Sequence, residues 1–160
     1  MASQSQRRIR NYSNDYCEVN NMDEIMTALM NQAFLKYKIR IILSSEADPY
    51  TPSVTHTESR TIIINTNFHD KKQIPLQMAH EMGHIINGDQ ATQPVYFSMM
   101  QTDYPMELEA NRTAIKLLLP FYLRDKDVEN VNSQEFMDTF SVPTHLENIV
   151  KEEISGMLKV

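Results

Sequence analysis

Ile74-Pro75-Leu76-Gln77-Met78-Ala79-His80-Glu81-Met82-Gly83-His84-Ile85-Ile86-Asn87-Gly88 is the stretch on which the reading of this chain turns. Pro75 in the first turn and Gly88 just past the end are the punctuation of a helix over 74–87. With His80 set at zero on a helical wheel, His84, Gln77 and Glu81 fall within about 100° of one side. Ile74, Leu76, Met78, Ala79, Met82, Ile85 and Ile86 cover most of the remaining circumference. A helix this apolar belongs inside its domain, and its narrow polar sector must face groups that satisfy it. Gly83 is one of only three glycines in the chain. Glycine in a helix interior costs about 1 kcal/mol relative to alanine, which predicts that another backbone packs closely there.

Two histidines at i and i+4 share one helix face and lie near enough to share a metal ion. Glu81, about 100° round the helix, then stands beside a water in the open position rather than among the ligands. A His-Glu-x-x-His pentapeptide arises by chance in roughly one chain in a hundred, so the apolar helix carrying it adds the decisive weight. The third ligand is expected from another element, and Met106–Leu119, between Pro105 and Pro120, reads as the next helix. Glu107 shares its phase with Ala110, Asn111, Ala114 and Leu118, a small and apolar face. Glu109 shares its phase with Arg112, Thr113 and Lys116, an ordinary solvated face. Glu107 is therefore the preferred ligand and Glu109 the alternative. Asn111, one turn on, is placed to hydrogen-bond a ligating imidazole or carboxylate. Two imidazoles, a carboxylate and an open position suit zinc, with manganese and iron compatible by ligand type. His56, His69 and His145 read as surface or turn histidines. Tyr96, Tyr104 or His145 are candidates for donating to a developing oxyanion, and the sequence does not choose among them.

Outward from these helices the chain reads as one α+β domain. Its 160 residues carry 15 Lys and Arg against 21 Asp and Glu, a net charge of −6. That balance argues against gripping a phosphate backbone and for an acidic face offered to a basic partner. The one cysteine, Cys17, excludes an internal disulfide framework and Cys-rich zinc fingers. Apolar runs such as Leu117–Leu119 fall far short of a membrane span, and Met1 to Asn21 lacks the apolar run of a signal peptide. Residues 1–20 read as a loosely ordered polar tail and 21–160 as the domain. Asn21 and Glu24 should cap a first helix that buries Ile25, Leu29 and Ala33. Ile39–Leu43 and Thr61–Asn65 read as strands, with Ser44–Glu58 between them as loop or irregular strand. A Thr61–Asn65 strand at the sheet edge beside the cleft would leave free backbone groups for an extended peptide. The segment from Asp89 to Asp103 has no clear period. Two short helices should close the chain, capped by Asn132 with Glu135 and by Thr144 with Glu147.

The segment from Thr61 to Pro120 resembles the ImmA/IrrE family of HExxH metallopeptidases. The resemblance rests on Ile62-Ile63-Ile64-Asn65, on His80-Glu81-Met82-Gly83-His84, and on Glu107-Leu108-Glu109-Ala110-Asn111 running into Leu117-Leu118-Leu119-Pro120. It implies a zincin-like domain: a small twisted sheet with the HExxH helix in its core. It also implies His80, His84 and Glu107 as zinc ligands, Glu81 as general base, and a cytoplasmic location. The implied substrate is a helix-turn-helix repressor of a phage or mobile element, with no direct binding of nucleic acid and no membrane. The alternative is a metal-stapled anti-repressor that docks on such a regulator without hydrolysing it.

Overall fold

The computed structural model describes residues 22–90, 95–96 and 105–159. Helix α1 runs through residues 22–37 and buries Ile25, Leu29 and Ala33 along one stripe, as their four-residue spacing requires. Strands β1 (Arg40–Ser44), β2 (Val54–His56), β3 (Thr61–Asn65) and β4 (Val95–Tyr96) form one small mixed sheet in the order β1-β3-β2-β4. β1 lies parallel to β3, while β2 runs antiparallel to both β3 and β4. Helices α2 (Ile74–Ile86), α3 (Pro105–Leu123), α4 (Ser133–Phe140) and α5 (Glu147–Leu158) complete the α+β domain. One hydrophobic core gathers Leu29 of α1, Ile62 and Ile64 of β3, Met78 and Met82 of α2, Leu118 of α3, Phe136 of α4 and Val150 of α5.

The expectation that Thr61–Asn65 lies at the sheet edge is overturned. β3 is paired on both sides, with β1 through Arg40–Ser44 and with β2 through Val54–His56. Ile62 and Ile64 are buried on one face, which suits a central strand, and no free backbone edge remains there for a peptide. The strand ends in Asn65 for a physical reason. Its Nδ2 donates to the carbonyls of Asp48 and Thr51, each at 2.8 Å, and its Oδ1 accepts from the Asn67 amide at 2.9 Å. The loop before β2 is thereby fastened to the sheet.

Other expectations shift by local physics. α3 continues through Pro120 to Leu123 instead of stopping at Leu119. A proline there withholds its amide from the Lys116 carbonyl, but Lys116 and Pro120 are both exposed, so water can satisfy that carbonyl. Buried Leu118, Leu119 and Tyr122 hold the helix on either side. Asn132 caps α4 as expected, accepting from the Gln134 and Glu135 amides. Thr144 does not cap α5; Thr144–Leu146 forms a 3-10 turn that runs straight into that helix. The tail over residues 1–20, the Asn21 cap, Cys17, Tyr104 and most of the aperiodic segment lie outside the described residues. No helix among the described residues is long and apolar enough to cross a membrane.

Candidate metal centre

α2 and α3 meet at their smallest residues. A Cβ on Gly83 would stand 2.8 Å from the Ala110 carbonyl oxygen and 3.1 Å from the Ala110 Cα, so glycine alone lets the backbones approach this closely. The close contact expected from a glycine inside the helix is there. Gly83 lies between His80 and His84, and Ala110 lies between Glu107 and Asn111. The tight contact therefore falls within two i,i+4 pairs and brings them together across the interface. All four of those side chains are buried.

The two Nε2 atoms of His80 and His84 are 3.1 Å apart. Glu107 spans them, with Oε2 3.2 Å from His80 Nε2 and Oε1 3.4 Å from His84 Nε2. Donors about 2.0–2.1 Å from a tetrahedral ion stand about 3.3 Å from one another, which is the size of this triangle. Both carboxylate oxygens of Glu81, and Oε2 of Glu107, are buried without a hydrogen-bond partner among the described residues. A buried carboxylate facing two imidazole nitrogens, with a second carboxylate buried and unpartnered, is costly unless a cation joins them. The donor set and its unsatisfied oxygens thus fit a divalent metal ion held by His80, His84 and Glu107.

Electrostatics without a cation follow from burial. Desolvation, and then the charge of Glu107, push the Glu81 carboxyl well above the usual carboxylate range. Burial, followed by the neighbouring His80, lowers the His84 imidazole, and its bond to Asp89 opposes the shift. Burial pulls the Glu107 carboxyl upward, but the adjacent imidazoles of His80 and His84 outweigh it and hold it below the usual range. His84 is thus biased toward the neutral form that binds metal, and Glu107 toward the charged one.

The ring nitrogens turned away from the triangle are also engaged. His80 Nδ1 meets Asn111 Oδ1 at 2.8 Å, the contact that helical phase anticipated. His84 Nδ1 meets Asp89 Oδ2, also at 2.8 Å, and sequence reasoning missed this residue. The available signal was an acid directly after the terminal glycine. Gly88 adopts φ +79°, its amide donates to the Ile85 carbonyl at 3.2 Å, and the Asp89 amide donates to the His84 carbonyl at 3.0 Å. This pair of bonds is a Schellman turn, which folds the following residue back over the last helical turn.

The remaining candidates go elsewhere. Glu109 is exposed, so helical phase separated the two carboxylates correctly. Gln77 accepts from the Ser53 amide at 3.0 Å and anchors the approach to β2. His56 closes the β2–β3 turn on Ser59, and His69 stacks on Tyr50 while bonding the Pro49 carbonyl. His145 is exposed in the 3-10 turn before α5. The backbone of Tyr96 belongs to β4.

A buried HExxH helix with a carboxylate from the following helix defines the class: a metallopeptidase-type site. The model of the Peptidase_M78 family, the IrrE N-terminal-like domain, matches residues 35–147, and the chain belongs to that family. Membership implies a protease function of the metallopeptidase type. No curated protein and no solved structure matches the chain significantly.

Proposed function

We propose that this chain is a zinc-dependent peptidase of the ImmA/IrrE type that cleaves a helix-turn-helix repressor of a phage or mobile element in the cytoplasm. Glu81 is the observation that carries the proposal. Its carboxylate is fully buried next to the donor triangle yet takes no part in it, and neither oxygen has a hydrogen-bond partner among the described residues. A purely structural site has no use for such a group.

His80, His84 and Glu107 would hold the ion, and their two imidazoles and one carboxylate suit zinc in a site with an open position. A bound ion supplies Lewis acidity and makes a neighbouring water more acidic. Glu81 would serve as the base that accepts a proton from the attacking water and returns it to the leaving amine. Substrate choice follows from charge: a chain carrying −6 attracts a basic DNA-binding protein.

The test compares wild type with Glu81→Gln on the repressor encoded beside the gene. Gln is nearly isosteric and Glu81 is no ligand, so the variant should keep its fold and its metal. Cleavage should fall by at least the roughly 10²–10⁴-fold that a positioned base contributes. If both proteins relieve repression equally and neither shortens the repressor, a docking module replaces the peptidase.

A further inference from the structure

Asp89 stands behind the triangle, against the ring nitrogen of His84 that faces away from it. We propose that Asp89 is a positioning residue that holds His84 with its proton on Nδ1 and its Nε2 lone pair aimed toward His80 and Glu107. The consequence for ion binding rests on the metal reading above; the hold on the imidazole does not.

An ionised carboxylate has no proton to give, so across the 2.8 Å contact with Asp89 Oδ2 the His84 Nδ1 is the donor. A neutral imidazole carries one ring proton, and placing it on Nδ1 leaves Nε2 as the lone-pair atom. Nε2 is the atom that stands 3.1 Å from His80 Nε2 and 3.4 Å from Glu107 Oε1. The other tautomer would point a proton into that space and exclude a cation.

Asp89 is fastened to the residue it orients. Its amide donates to the His84 carbonyl at 3.0 Å while its carboxylate accepts from the His84 ring. Its side chain is only 12% exposed, so the bond is charge-assisted and little weakened by water. An acid just past a helix C-terminus opposes the helix dipole, so a bland capping role does not explain the residue. His80 is held differently, by the amide oxygen of Asn111. An amide can present either an oxygen or an N–H, whereas a carboxylate can only accept. The tautomer is therefore enforced more strictly at His84 than at His80.

Two readouts on wild type, Asp89→Asn and Asp89→Ala test the proposal. Long-range ¹H–¹⁵N spectra of the metal-free proteins report which His84 nitrogen is protonated. Chelator competition reports the affinity for Zn²⁺. Wild type should show Nδ1–H. Asp89→Asn is nearly isosteric, so it should fold, but its amide can donate to Nδ1 and push the proton to Nε2. Both variants should lose the Nδ1–H signature and bind Zn²⁺ about 10–100-fold more weakly. Variants that keep the signature, or that lose it and still bind Zn²⁺ as wild type does, overturn the proposal. A tautomer change in the variants with no Zn²⁺ binding even by wild type would support the hold of Asp89 on the ring and sink the metal reading instead.

Discussion

Glu107 and Glu109 stand two residues apart on α3 and end in opposite environments. The first is 5% exposed and faces His80 and His84, while the second is exposed. Position on the helix alone decides this, since a two-residue step turns a side chain by about 200°. Glu107→Gln removes a ligand and should weaken Zn²⁺ binding by more than the roughly 10–100-fold of a lost orienting partner. Glu109→Gln removes a solvated charge, so it should leave Zn²⁺ affinity unchanged and stability within about 0.5 kcal/mol of wild type. Chelator competition and urea unfolding on the two variants check both outcomes. Equal affinities would mean that the carboxylate on the packed face is not a ligand. Asn111 belongs to the same scale and was legible in the sequence, because it lies one turn from Glu107 on one regular helix. Asp89 was not, because its bond depends on a turn beyond the helix that only the left-handed Gly88 makes.

At the scale of elements, the site depends on how closely α2 approaches α3. Helix propensity alone would make Gly83→Ala stabilising by about 1 kcal/mol. The contact with Ala110 argues the opposite, because backbone atoms cannot yield as a flexible side chain would. Overpacking costs about 1–3 kcal/mol, so a net loss of about 1–2 kcal/mol is expected, with weaker Zn²⁺ binding as α3 is pushed away. Urea unfolding and chelator competition on the same variant measure both; a stabilised variant with wild-type affinity would show that the approach is not what sets the site. α2 could be read from sequence because its proline, its terminal glycine and its apolar circumference are all local. The central place of β3 could not, since it depends on β2, three residues within a Pro- and Thr-rich segment, and on a parallel partner on the other side. The passage of α3 through Pro120 was hidden likewise, because the carbonyl it frees lies on the exposed side while buried Leu118, Leu119 and Tyr122 fix the helix.

The whole molecule places a cluster of titratable side chains inside a largely apolar core. His80, His84, Glu81 and Glu107 are buried within a core that joins the helices to the sheet. An ion that binds only the folded chain would stabilise all of it, by about 2.7 kcal/mol at a hundredfold excess over the dissociation constant. Acidic residues elsewhere are partly neutralised on the surface, as where Arg112 pairs with Glu152 and Glu153 and Arg124 pairs with Glu24. An exposed pair such as Arg124 with Glu24 contributes little to stability. The buried cluster is where stability, metal and chemistry meet, so the decisive measurement is the metal content of the purified protein beside that of His80→Ala. Elemental analysis should find about one zinc ion per wild-type chain and essentially none in the variant, since removing one of three ligands opens the site. Equal metal content in the two proteins, or none in wild type after purification with zinc, would contradict a metal centre built from His80, His84 and Glu107.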